Sequence, residues 1–164
     1  MSSQPNLFFR ICLSLVIMML LGSCKSSKVN TDKTNNTLLC SLVSTPCFGR
    51  CPVYEIKIYE SGLLLYKGQR NVEDTFCHFR QINEKELKKL KDAFAKAEFF
   101  GLNSTYPFDE RAPVDLPSSI IFFKSNNQEK TVVDHHWKTP EKLGFLERKI
   151  DSLASGKFLQ FCDK

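Results

Sequence analysis

The sequence predicts an α+β domain: an antiparallel sheet of hairpins with two helices packed on one face, in the order strands, helix, strands, helix. Three observations predict it. Runs with an apolar period of two occur in pairs, a short turn joins each pair, and a capped helix with an apolar stripe follows each pair. Helices segregated from antiparallel hairpins imply this class and not a doubly wound sheet.

The first pair opens at Val53. In VYEIKIYE, Tyr54, Ile56 and Ile58 fall on one face, and Glu55, Lys57 and Tyr59 fall on the other. Ser61-Gly62 supplies a turn, and LLLYKG returns as the partner strand. A third strand is expected at Thr75 to Arg80, TFCHFR. Asn83 then reads as an N-cap with Glu86 as its reciprocal partner, and Ile82 and Leu87 stand at the positions of a hydrophobic staple. The stripe of this helix is Leu87, Leu90, Phe94 and Ala97, and Gly101 is expected to stop it in the left-handed conformation. Its polar face carries several lysines diluted by Glu84, Asp92 and Glu98, the composition of a solvated face.

Between Leu102 and Pro117, LNSTYPFDERAPVDLP holds three prolines in 16 residues, which neither a helix nor a central strand tolerates. A loop this long is uncommon in a compact domain and tends to be functional or mobile. A second hairpin follows as SSIIFFK, the turn Ser125-Asn126-Asn127, and QEKTVVD. Thr139-Pro140 then reads as the N-cap and first residue of a second helix. Its stripe is Leu143, Leu146, Ile150 and Leu153, and Gly156 closes it.

The amino-terminal segment carries an address. Met1 to Phe9 contain no acid, Arg10 follows, and ICLSLVIMMLLGS is an apolar or small run of 13 residues. A bilayer span needs about 20 residues, so the run matches the core of a secretory signal peptide instead. Leu21, Gly22 and Ser23 stand directly before Cys24, an order that resembles the lipobox of bacterial lipoproteins. That resemblance implies cleavage before Cys24 and acylation of Cys24 by chains of the palmitate type. Two or three chains anchor a protein stably, because each buried CH₂ contributes roughly 0.8 kcal/mol. The expected organisation is a lipoprotein signal peptide at 1–23, a lipidated Cys24 with a flexible tether to residue 38, and a single domain at 39–164. The tether, KSSKVNTDKTNNTL, is too polar to fold and would hold the domain about 20 Å from its anchor.

Loss of residues 1–23 removes Arg10 and no acid, leaving 22 basic against 18 acidic side chains. That mild excess is far from the basic stripe of a nucleic-acid binder, and no nucleic-acid partner is expected.

One stretch is more specific. STPCFGRCPVYEIKIYESGLLLYKG, followed by a helix, a tyrosine-containing loop and a second hairpin, resembles a family of small Gram-negative envelope lipoproteins whose domain has no assigned function. The Pro-Cys-Phe-Gly-Arg-Cys-Pro-x-Tyr opening carries that resemblance, which extends over roughly Leu42 to Leu153. It implies a lipid-anchored α+β domain and no catalytic residues.

Once the signal is cleaved and Cys24 is lipidated, five cysteines remain in an oxidising compartment. The number is odd, so one thiol stays free or pairs with another molecule, and the pairing of Cys40, Cys77 and Cys162 is open. Cys47 and Cys51 would stand about 13 Å apart in an extended chain, whereas a disulfide needs Cα atoms within about 7 Å. Gly49 between them and Pro46 and Pro52 beside them suit a tight loop, so a structural disulfide is expected. The alternative is an envelope thiol–disulfide oxidoreductase using Cys47 and Cys51, since Arg50 would favour a thiolate. Against it, three residues separate the cysteines where thioredoxin-like motifs have two, no βαβ unit surrounds them, and a strand follows.

No metal or other cofactor is expected. His135 and His136 are adjacent at a strand end and point to opposite faces, and only a tertiary contact could bring His78 or Asp134 to one of them. No Gly-x-Ser-x-Gly elbow, His-Glu-x-x-His helix or glycine-rich phosphate loop is present. Asp109, Glu110 and Asp115 gather beside Tyr106 and Arg111, so a glycan-acting enzyme using the acidic loop 106–115 is a second alternative, although the spacing is not diagnostic. Trp137 either caps the core or joins Tyr106, Phe108 and His136 in a recognition patch. Tyr106, Asp109 and Trp137 are the candidate partner-binding residues. The expectation is therefore a binding or structural domain that is not an enzyme. It is held at a cell or outer membrane by Cys24, faces the periplasm, and meets another envelope protein.

Overall fold

The structure, a computed structural model, describes residues 36–154 and 160–162. The signal segment, Cys24 and most of the tether lie outside the described residues, as does Gly156.

Among the described residues the order is β1 (Leu38–Ser44), β2 (Val53–Tyr59), β3 (Leu63–Arg70), β4 (Cys77–Gln81), α1 (Glu84–Lys96), a 3₁₀ turn (Phe99–Gly101), β5 (Thr105–Tyr106), β6 (Ser119–Ser125), β7 (Gln128–Asp134), α2 (Glu141–Ala154) and β8 (Gln160–Phe161). The strands form one sheet in the order β5-β7-β6-β1-β2-β3-β4-β8. Every pairing is antiparallel except the short parallel contact of β5 with β7. The domain is thus α+β, with two helices and a mostly antiparallel sheet.

The strand at the centre, β1, is one that periodicity does not announce. It lies between β6 and β2, and Leu39, Cys40, Ser41 and Leu42 are all buried. A strand covered in this way reads as a continuous run, LLCSLVS, and not as an alternation.

The first hairpin follows the alternation of its sequence, with Ile56 opposite Tyr66 and Ile58 opposite Leu64. Its turn requires glycine. Gly62 has φ +80°, and a Cβ there would meet the Ile82 carbonyl oxygen at 2.7 Å. The same turn is tied to the next element, since Ile82 N–H donates to Gly62 O. Strand β4 begins at Cys77, two residues later than the sequence suggests. Asp74 Oδ1 accepts the Phe76 N–H and holds that residue in the preceding turn, where its ring is exposed.

Helix α1 is capped as its sequence indicates. Asn83 Oδ1 accepts from Glu86 N, and Glu86 Oε2 accepts from Asn83 N. Its end differs from expectation. Glu98, not Gly101, takes the left-handed conformation, with φ 53°. The aromatic core accounts for this. Phe99 is buried edge-on against Phe94 and Phe123, which stack with 3.9 Å between ring centres, and the chain must reverse before Phe99 to place it there.

Helix α2 buries Leu143, Leu146, Ile150 and Leu153, and it touches α1, β2 and β3. Buried residues of both helices and of β1, β2, β3, β6 and β7 form one cluster. The carboxyl-terminal strand β8 pairs with β4, and Cys162 just beyond it is bonded to Cys77. Cys40 is the free thiol among the described cysteines and is fully buried. Burial holds that thiol well above its ordinary pKa, so it stays protonated and inert.

Candidate functional site

Three segments that are distant in sequence meet at one end of the sheet. The first is the ring closed by Cys47 and Cys51, whose Cα atoms are 5.7 Å apart. The second is the long loop before β6. The third is the connection from β7 to α2. Phe48 N–H donates to Asp115 O and Thr45 N–H to Ser118 O, joining the first to the second. Glu110 pairs with Lys138 at 2.6 Å, and His135 N–H donates to Tyr106 O, joining the second to the third. These loops expose large apolar groups: Phe48 at 94%, Phe108 at 72% and Trp137 at 40% of full exposure.

The candidate partner-binding residues divide between surface and core. Asp109 is exposed beside Glu110, and Trp137 is exposed beside Lys138. The Lys138 ammonium is raised above its usual range by its hydrogen bond to Glu110, with the charges of Glu110 and Asp109 adding to the effect. Tyr106 serves the scaffold. Its ring packs against the core, and its hydroxyl accepts from Asn103 N–H at 3.0 Å. The ring of Cys47 and Cys51 leads into β2, so no helix N-terminus stands there to activate a thiolate.

Beneath the third segment lies a polar cluster. Strand β7 ends at Asp134, and His136 and Lys138 adopt positive φ, at 53° and 57°, turning the chain towards α2. Asp134 Oδ1 accepts the His136 N–H at 3.0 Å and stabilises this turn. Ser119, opposite Asp134 on β6, places its Oγ 2.7 Å from His136 Nε2. Helix α2 contributes Glu147 and Asp151, and Tyr54 from β2 donates to Asp151 Oδ1 at 2.8 Å. One donor atom from each of Asp134, His136 and Glu147 lies within 4.8 Å of the other two.

The sequence leaves shared ligation to a tertiary contact, and the fold supplies one. His135 and His136 do diverge, to Ser118 and Ser119 respectively, but Asp134 and His136 come together because the turn at positive φ folds the histidine back. His78 is elsewhere, with its Nε2 2.8 Å from Asp74. Glu147 went unread, although the sequence holds a signal for it. It lies four residues after Leu143 and three before Ile150, an acid on the apolar stripe, with Asp151 one turn on.

Burial pushes the Glu147 carboxyl up to about 7, and the nearby charges of Asp134 and Asp151 push in the same direction. Burial also raises Asp151, opposed by the Tyr54 hydrogen bond and the charge of His136. The Tyr54 hydroxyl is held above its usual range, by burial first and by its bond to Asp151 second. Ser119, His136 and Asp134 name the parts of a hydrolytic triad without its geometry. The aspartate binds the histidine backbone and not the ring, and Ser119 is only 5% exposed.

The chain belongs to the DUF6438 family. The model of that family, described as a domain of unknown function, matches residues 39–154, which hold β1 from its second residue, β2 to β7, both helices and all three segments of the site. No curated protein matches the chain. Within the DUF6438 domain both the Cys47–Cys51 ring and the Asp134, His136 and Glu147 cluster are included, whereas Cys162 lies beyond it.

Proposed function

We propose that this protein is a lipid-anchored component of the cell envelope, facing the periplasm, whose stapled domain binds another envelope protein through the end built from its three loops. The anchor is Cys24, and the stretch up to residue 38 is the tether. In this reading both helices cover one face of the sheet, which leaves the loop end as a separate surface for contact. Both helices drawing on one hydrophobic cluster supports that arrangement.

The observation that carries the proposal is the linkage of the loops. Phe48, Phe108 and Trp137 are exposed on segments held together by the Phe48–Asp115 hydrogen bond and the Glu110–Lys138 ion pair. Apolar groups presented by a cross-braced surface suit protein contact, because their order is already paid for before binding. The lipobox order at Leu21 to Cys24 supports the membrane placement. Among the described residues no helix is long and apolar enough to cross a membrane.

The anchor is tested by growing cells with an alkyne analogue of palmitate. The wild-type chain incorporates label and sediments with membranes, and Cys24→Ser does neither. Equal labelling of the two chains would refute the anchor. Docking is tested with the triple substitution of Phe48, Phe108 and Trp137 by serine, which keeps the fold and releases the crosslinked partner. Unchanged crosslinking by that folded variant would refute the loop end as the contact.

A further inference from the structure

We propose that Asp134, His136 and Glu147 form a binding site for one divalent transition-metal ion, of the zinc or manganese kind. This goes beyond the anchoring and docking reading and does not depend on it. The donors come from two elements, the β7 end with its turn and helix α2, so the site belongs to the tertiary fold.

The first support is the donor set. One imidazole nitrogen and two carboxylate oxygens lie within 4.8 Å of one another. Bonds of about 2.0–2.2 Å place donors on a common ion about 3–4 Å apart, a distance reached by rotation of side chains already this close. The imidazole favours zinc, the two carboxylates also admit manganese, and calcium and magnesium prefer shells made wholly of oxygen.

The second support is independent of the spacing. Asp134 is fully buried, yet its Oδ2 accepts no hydrogen bond, and buried Oε1 of Glu147 accepts none either. Buried carboxylate oxygens without donors are costly, and carboxylates gathered together add repulsion. A cation among them satisfies both oxygens and removes the repulsion.

The surroundings are those of held ligands. The His136 N–H fixes Asp134 through Oδ1, Ser119 Oγ holds the His136 ring through Nε2, and Tyr54 binds the adjacent Asp151. Outer partners of this kind orient metal ligands and tune their affinity. His136 is exposed while Asp134 is buried, so an ion enters past the histidine. The free thiol of Cys40 is sealed in the core and offers no competing ligand.

The test uses the full chain purified in detergent, stripped with a chelator and freed of any affinity tag. Zinc chloride, and in a second series manganese chloride, is titrated calorimetrically, and bound metal is measured after desalting. The expected result is one ion per chain with a higher Tm, unaffected by an equal concentration of calcium. His136→Ala weakens binding at least tenfold, and Glu147→Gln abolishes stoichiometric uptake. Both substitutions keep the circular dichroism of the wild type, since one is at an exposed position and the other preserves shape. If the wild-type chain takes up neither ion stoichiometrically, or both folded variants bind as it does, the proposal is wrong. The facing carboxyl groups then share only a proton.

Discussion

Cys77 at the start of β4 is bonded to Cys162 beyond β8, so one covalent link closes a loop with a sequence separation of 85. The ring of Cys47 and Cys51 has a separation of only 4. On the chain-entropy account the long loop contributes about 4.6 kcal/mol and the short ring about 2 kcal/mol. Cys162→Ser is therefore expected to lower the urea midpoint about twice as far as Cys51→Ser. Equal losses would show that the long closure adds nothing through the unfolded chain.

The start of α1 predicts a response to acid. The Asn83 backbone N–H, and then the Arg80 guanidinium, hold the Glu86 carboxyl below its usual range. Arg80 also donates to Leu153 O, so this charge pair ties α1 to the end of α2. A lowered folded pKa contributes stability that is present above the unfolded value of about 4.3 and is lost as pH falls through the folded value. Glu86→Gln keeps a capping acceptor but loses the charge. Its Tm should lie below that of the wild type at pH 7, with the gap closing as pH falls below the unfolded value and through the lowered folded one. A gap that persists in acid would assign the loss to shape and not to charge.

Aromatic packing predicts a contrast inside the chain. Phe94 stacks on Phe123 and is only 1% exposed, whereas Phe145 on α2 is 43% exposed. Phe94→Ala should cost about 3–5 kcal/mol, by lost burial and a cavity that the flat stack cannot collapse. Phe145→Ala should cost less than about 1 kcal/mol. Urea melts of the two variants check the difference, and similar midpoints would contradict the core described here.

The fold was legible where one local rule decided the structure. Alternation gave the two hairpins, and Asn83 with Glu86 gave the start of α1, since each signal lies within a few residues. The rule failed where tertiary contacts decide. Strand β1 is covered too completely to alternate, and the stop of α1 is set by Phe99 seeking Phe94 and Phe123, so Gly101 is passed over. In the site, Asp109 was readable as an exposed loop residue, whereas the sequence left Trp137 between core and surface and the fold exposes it. The union of Asp134, His136 and Glu147 was not readable, because it depends on a turn at positive φ and on which way α2 faces.

Glu147 carries a cost that function would explain. Its carboxyl is buried near Asp134 and Asp151, which disfavours its charged form. In chelator-treated protein at pH 8, Glu147→Gln is expected to raise Tm by several degrees. A lower Tm would mean that the carboxylate stabilises the metal-free fold, against the frustration inferred for it. Such an exchange of stability for binding is common at functional sites.

The loop end as the contact surface is tested most directly by a photo-reactive amino acid placed in intact cells at Phe108, at Trp137 and, as a control, at Lys88, whose side chain on α1 is 76% exposed. The account predicts the same envelope protein captured from both loop positions, absent from Lys88, and lost when Cys24→Ser releases the chain from the membrane. Capture from Lys88 with none from either loop position would contradict it.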